Sequence, residues 1–215
     1  MTNLKELVEK STTNANNHGW KIRWDPMLLG NFQDIKKGYR YLSIGDTLAL
    51  IHSELSEALE EYENNKKEEF TIELADYVIR LLHLCGDVKI DLNEVLSSIY
   101  NIKCFDYSGI EFTSHLKIIR MSDDCNYLTS WDREDLSDPE YHTVDMTLAK
   151  MHSTISKALE AYRDNNFNKF GNIICEALMW ALYLSKELQI DLLTAINIKT
   201  KINEKRPKNH GRENL

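Results

Sequence analysis

Apolar residues recur at helical spacing from about residue 46 to residue 99, and the pattern predicts three helices. Asp46 is the expected N-cap of the first helix, and Asn64-Asn65 is expected to close it. The second helix is predicted from about Lys67 to Cys85, with Gly86 as its stop. A third, shorter helix is expected after Asp91. The apolar stripe of the first helix consists of Leu48, Ile51, Leu55, Leu59 and Tyr62.

The same pattern returns 100 positions later without a gap. The segment Leu48-Ala49-x-Ile51-His52-Ser53 matches Leu148-Ala149-x-Met151-His152-Ser153, and Ile90-Asp91-Leu92 matches Ile190-Asp191-Leu192. Identities that persist in one register across two helices and a loop indicate an internal duplication. We therefore predict an all-α fold in which two tandem helical-hairpin repeats pack as a pseudo-dimeric core resembling a four-helix bundle.

This pattern divides the chain into four parts. Residues 1–45 are predicted to form an N-terminal helix and an aromatic loop, and residues 46–103 the first repeat. Residues 104–144 are polar and acidic, which predicts a mostly irregular connector. Residues 145–215 are predicted to form the second, degenerate repeat with a basic C-terminal tail.

Charge and cysteine content limit the classes of partner. The formal net charge of −8 argues against the basic surface of a nucleic-acid-binding protein. No apolar run approaches the roughly 20 residues that a membrane-spanning helix needs, so no membrane partner is expected. The cysteines lack Cys-x-x-Cys spacing and the N-terminus lacks an apolar signal region, which predicts a reduced, cytoplasmic protein.

Four carboxylates in the first repeat are the strongest chemical signal. Glu54 and Glu57 lie three positions apart in the first helix, as do Glu73 and Asp76 in the second, so each pair shares one helix face. A hairpin brings the pairs together, and such a cluster repels itself unless a hard cation neutralises it. We predict that these four residues bind Mg²⁺, with Mn²⁺ as the alternative ion.

The alternative is a solvated acidic face, which is the expected role of Glu61 and Glu69. The corresponding positions of the second repeat carry Thr154, Lys157, Ile173 and Glu176. The scaffold therefore does not require acids at these places, which favours a metal site in the first repeat and its loss from the second. A di-iron carboxylate bundle is disfavoured because it needs Glu-x-x-His motifs on facing helices, and none is in place here.

These motifs resemble those of the MazG-like all-alpha nucleoside triphosphate pyrophosphohydrolases. The resemblance covers residues 48–92, where Glu-x-x-Glu and Glu-x-x-Asp stand in the contexts Leu50–Glu60 and Glu73–Asp76. The family's Lys-x-x-x-Asn-x-x-Arg-Pro-x-x-His-Gly tail is present as Lys199, Asn203, Arg206, Pro207, His210 and Gly211. This tail follows the second repeat, whereas the first repeat has Ile99 and Lys103 in place of its Lys and Asn.

The resemblance implies Mg²⁺-dependent hydrolysis of a nucleoside or deoxynucleoside triphosphate to the monophosphate and pyrophosphate, in nucleotide housecleaning. Glu57, central in the acidic flank, is our choice for the catalytic base. The tail residues Lys199, Asn203 and Arg206 are then expected to bind the phosphates. Trp20 or Trp24 is expected to stack on the base, and the alternative is that both cover the end of the helical core.

The split of the motifs predicts one site between the repeats, with metal ligands from the first and Lys199 and Asn203 from the second. The alternative is that the second repeat is decaying and its tail only stops a helix. Two other functions stay open: phosphoribosyl-ATP pyrophosphohydrolase, and a non-catalytic nucleotide- or metal-binding protein derived from such an enzyme. His52 and His152 recur in both repeats and are interpreted as structural. A homodimer on top of the internal pseudo-dimer is left open.

Overall fold

The structure is a computed structural model that describes residues 4–24, 40–100, 128–130 and 141–207. Seven helices pack against one another in these ranges, which confirms the predicted all-α fold. They are α1 (Leu4–Asn17), α2 (Ile44–Glu63), α3 (Lys67–Val88), α4 (Leu92–Tyr100), α5 (Val144–Arg163), α6 (Phe167–Glu187) and α7 (Leu192–Glu204). None of the described helices is both long and apolar enough to cross a membrane.

Two pairs of short parallel strands accompany the helices. Strand β1 (Trp20–Arg23) pairs with β2 (Arg40–Ser43), with Trp20 opposite Arg40. Strand β3 (Leu128–Ser130) pairs with β4 (Tyr141–Thr143) in the same way. The expected aromatic loop therefore contains a strand, because the backbone of residues 20–23 finds hydrogen-bonding partners in residues 40–43. The rest of the expected irregular connector lies outside the described residues.

The helices form two hairpins that exchange their third helices. Helices α2 and α3 pack as one hairpin and α5 and α6 as the other, and the helix starts keep the 100-residue offset of the sequence pattern. Helix α2 contacts α5, and α3 contacts α6. Helix α4 then packs on α6, while α7 packs on α3. Each hairpin is therefore covered by a helix from the other half of the chain.

The core between the hairpins is apolar and closely packed. Phe70 and Phe170 are fully buried at equivalent places in α3 and α6. Tyr77 is also fully buried, and its hydroxyl donates a hydrogen bond of 3.1 Å to the carbonyl oxygen of Ala177. This bond satisfies a polar group that burial would otherwise penalise, and it joins α3 to α6.

Two predicted helix boundaries are wrong. Ser43, not Asp46, is the N-cap of α2: its hydroxyl accepts a bond from the Asp46 amide, and the Asp46 carboxylate accepts one from the Ser43 amide. Helix α3 continues through Gly86 to Val88, and Lys89 caps it in the left-handed conformation with φ of 63°. Gly86 serves instead as a close contact with α1, where a Cβ would lie 1.9 Å from Thr12 Oγ1.

Candidate metal and phosphate site

Three of the four predicted metal ligands converge at the α2–α3 seam. One carboxylate oxygen from each of Glu54, Glu57 and Glu73 lies within 4.8 Å of the other two. Glu54 is buried at 4% exposure, Glu73 is half-buried and Glu57 is exposed, so the group opens to solvent on one side. Among the described residues this is the one group of acids, histidines or cysteines with metal-ligand spacing.

Glu54 is held by a cation from the facing helix. The guanidinium of Arg80 in α3 donates from Nε to Glu54 Oε1 at 2.5 Å. Burial raises the pKa of Glu54 to about 7, and the charges of Asp76 and Glu57 add to this effect, while Arg80 opposes it. Burial thus favours the protonated form of Glu54, and a bound divalent cation would favour its carboxylate form.

Asp76 lies one helical turn beyond Glu73 and is engaged by the second half of the chain. Lys199 Nζ of α7 lies 3.2 Å from Asp76 Oδ2 and 3.3 Å from Glu73 Oε2. Asn203 Nδ2, one turn further along α7, donates to Asp76 Oδ1 at 3.3 Å. Because α7 packs on α3, Lys199 and Asn203 of the second half of the chain lie against the carboxylates of the first half.

The oxygen ligands suit a hard cation. All four candidate ligands are carboxylates, and such ligands suit Mg²⁺ better than softer metals. Asn203 Oδ1 is buried and accepts no hydrogen bond from the described part of the chain. A buried acceptor without a donor is costly, so this oxygen is available to a ligand or to water at the site.

A cavity of about 270 Å³ adjoins the carboxylates. Asp76, Arg80 and Asn203 are among its lining residues, so the cavity borders the acidic site. The other lining residues include two predicted substrate-binding residues, Trp20 and Arg206, together with Ser11, Asn14, Ala15, His18, Leu42, Leu50, Ile79, His83 and Pro207. Eight of the lining residues are polar or charged and six are apolar, so the cavity offers hydrogen-bonding groups as well as an apolar surface to a small molecule.

Trp24 does not line this cavity. Its ring makes edge contacts with Tyr162, Phe167 and Phe170 at centroid distances of 4.9, 5.1 and 5.1 Å. The Tyr162 hydroxyl donates to the Trp24 carbonyl oxygen at 3.1 Å. Trp24 thus covers the end of the second hairpin, which is the packing role that the sequence left open for it.

His18 and His83 also line the cavity, and neither was predicted to do so. His83 is 8% exposed, and its Nε2 lies 3.1 Å from Asp87 Oδ2. The same Asp87 oxygen accepts a bond of 2.6 Å from the Ile22 amide, which fastens β1 to α3. Spacing could have indicated His83, because it follows Asp76 by seven positions and Arg80 by three and therefore shares their face. No such relationship ties His18 to α3.

The equivalent positions of the second half have different surroundings. Thr154 is buried and its hydroxyl bonds to the carbonyl oxygen of Lys150 at 3.0 Å. Ile173 is buried, whereas Lys157 and Glu176 are exposed. Glu176 therefore lacks the enclosure that Asp76 has, and a lone exposed carboxylate does not make a metal site.

Comparisons with protein-family models, with curated proteins and with solved structures found no match to this chain.

Proposed function

We propose that this protein is a Mg²⁺-dependent nucleoside triphosphate pyrophosphohydrolase acting in nucleotide housecleaning. The observation that carries the proposal is the contact of Lys199 and Asn203 with Glu73 and Asp76 at the edge of the acidic group. Triphosphate hydrolysis needs acids that hold a metal and cations that hold phosphate at one place. The resemblance of these same residues to MazG-like motifs supports the assignment.

The acids have distinct proposed roles. Glu54, Glu57, Glu73 and Asp76 hold Mg²⁺, which offsets phosphate charge and polarises water when it is bound. Glu57 takes the proton of the attacking water. It is the most exposed of the four, so water reaches it directly, and the Ser53 hydroxyl donates to its Oε1 at 3.0 Å, which fixes the carboxylate.

The substrate is proposed to bind through cationic side chains and the adjoining cavity. Lys199, Asn203 and Arg206 bind the phosphates, and Lys199 and Arg206 supply positive charge that an acidic chain otherwise lacks. The base occupies the adjoining cavity, where Trp20 offers a stacking surface and His18 and His83 offer hydrogen-bonding edges. Cleavage between the α- and β-phosphates leaves the monophosphate in this cavity and releases pyrophosphate.

A substrate screen tests the proposal. Canonical and modified nucleoside triphosphates, and phosphoribosyl-ATP, are incubated with the full chain and Mg²⁺, and both pyrophosphate and orthophosphate are measured. We expect pyrophosphate from at least one nucleoside triphosphate, its loss in Glu57→Gln and its retention in Glu176→Gln. Binding without release of pyrophosphate would favour the non-catalytic alternative, and selective cleavage of phosphoribosyl-ATP would favour the other hydrolase.

A further inference from the structure

We propose that the Lys199 ammonium competes with the divalent cation for the carboxylates. In the absence of metal the ammonium occupies the carboxylates, and when metal binds it moves to the substrate phosphates. The inference rests on the proposed metal site and concerns how that site is regulated. It assigns Lys199 a role before the substrate arrives, in addition to phosphate binding.

The position of the ammonium carries the inference. Lys199 is 5% exposed, and its Nζ lies 3.3 and 3.5 Å from the two oxygens of Glu73 and 3.2 Å from Asp76 Oδ2. Both oxygens of one predicted ligand and one oxygen of another are therefore already neutralised. A divalent ion held by Glu73 would lie next to this ammonium, and two like charges this close in a half-buried site repel strongly. Lys199 must then leave Glu73.

Arg80 is not placed to compete in the same way. It contacts one oxygen of Glu54 and leaves the other free for a metal, and its side chain is 29% exposed. Lys199 instead bridges two carboxylates and is almost closed off from solvent. Loss of the Lys199 contact is therefore the step that metal binding requires.

The displaced ammonium has a destination. Asn203 and Arg206 follow Lys199 on the same side of α7 and its C-terminal end, and both line the adjoining cavity. A lysine has a flexible four-carbon stem, so its ammonium can move towards this cavity without movement of α7. Metal binding thereby releases a phosphate-binding cation, and by linkage each ligand favours the binding of the other.

Binding of Mn²⁺ alone to the full chain tests the inference by calorimetry. Lys199→Met retains the length of the stem and removes the charge, so we expect it to bind Mn²⁺ about tenfold more tightly than the natural chain. Lys199→Arg keeps the charge and should bind close to the natural value. Lys201→Met, on an exposed position of the same helix, is the matched control and should change nothing. Equal or weaker binding by Lys199→Met would overturn the inference.

A second measurement uses the natural chain and does not depend on the folding of any variant. Acylation of individual lysines by a water-soluble reagent is measured by mass spectrometry with and without Mn²⁺. We expect Mn²⁺ to increase the labelling of Lys199 several-fold and to leave Lys201 unchanged. Protection of Lys199 that persists at saturating Mn²⁺ would overturn the inference. If no chain binds Mn²⁺ at all, the proposed metal site fails together with the inference. The outcomes named before would overturn the inference alone.

Discussion

The imidazole Nδ1 atoms of His52 and His152 lie 2.7 Å apart, between helices α2 and α5. The rings are nearly parallel, with planes inclined by 9° and centroids 5.0 Å apart. One Nδ1 must carry a proton and donate a hydrogen bond to the other, because two protonated nitrogens at this distance would repel each other. The pair therefore joins the two hairpins only while at least one ring is neutral.

We expect this pair to make stability depend on pH. Burial lowers the pKa of both histidines, and the charge of His52 lowers that of His152 further. The unfolded chain, with ordinary histidine pKa values near 6.5, then binds protons more readily than the folded one. The contribution of the pair to the free energy of unfolding is fully present above about pH 6.5. It decreases as the pH falls from there towards the folded pKa values.

Urea unfolding at pH 8 and at pH 5.5 measures this effect. His152→Asn removes one partner, so its stability should change less between the two pH values than that of the natural chain. Stability of the natural chain that does not fall between these values, or an identical fall in His152→Asn, would contradict the prediction.

Two helical glycines should respond oppositely to alanine. A Cβ on Gly86 would lie 1.9 Å from Thr12 Oγ1 and 3.0 Å from Thr12 Cβ, so Gly86→Ala should cost about 1–3 kcal/mol by forcing α1 away from α3. Gly171→Ala is the matched control, since its Cβ would meet Ile90 Cγ2 at 3.8 Å, an ordinary contact. It should be neutral or stabilise by up to about 1 kcal/mol. Chemical denaturation compares them, and a similar loss in both would refute the steric explanation.

Asp76→Asn should lower the rate of pyrophosphate release by about 100-fold or more, because it removes a proposed metal ligand and one partner of Lys199. Glu176→Gln should retain the natural rate, since Glu176 is exposed on the other hairpin. Steady-state kinetics in Mg²⁺ compare the two variants, with circular dichroism to verify folding. The fold should survive, because the substitution removes one charge from the acidic group and Lys199 keeps its contact with Glu73. A rate in Asp76→Asn equal to that of the natural chain would show that Asp76 is not a required metal ligand.

Lys199→Ala should decrease kcat/KM for the triphosphate by about 10–100-fold, the usual effect of losing a hydrogen bond to a charged group. Lys201→Ala should leave kcat/KM unchanged, because Lys201 is exposed and lies away from the carboxylates. Turnover at saturating Mg²⁺ is the measurement. A normal kcat/KM for Lys199→Ala would contradict the proposed role of Lys199 in phosphate binding.

Local spacing predicted the parts of the molecule that depend on local geometry. The helical period predicted the hairpins, and the three-residue spacing of Glu54 and Glu57 placed both on the face towards α3. The comparison of the two halves led to the hypothesis that Lys199 and Asn203 meet the acids of the first. No sequence rule for single helices could have suggested that contact.

Most of what the sequence did not predict depends on contacts between distant elements, and the N-cap of α2 is a local exception. Gly86 was predicted to end a helix because local sequence does not show its close contact with Thr12 of α1. Asp46 looked like a cap because Ser43 and Asp46 bond reciprocally, and the pattern alone does not distinguish the two partners. The cavity residue His18 was missed since nothing in the sequence places α1 beside α3.

The exchange of third helices also bears on the order in which the chain folds. Lys199 and Glu73 are separated by 126 positions, and Asn203 and Asp76 by 127. Closing such a long loop costs entropy that only the completed packing of α7 on α3 returns, so these contacts form late. During synthesis the N-terminal hairpin leaves the ribosome long before α7 exists. A nascent or prematurely terminated chain would therefore carry an acidic cluster without its lysine.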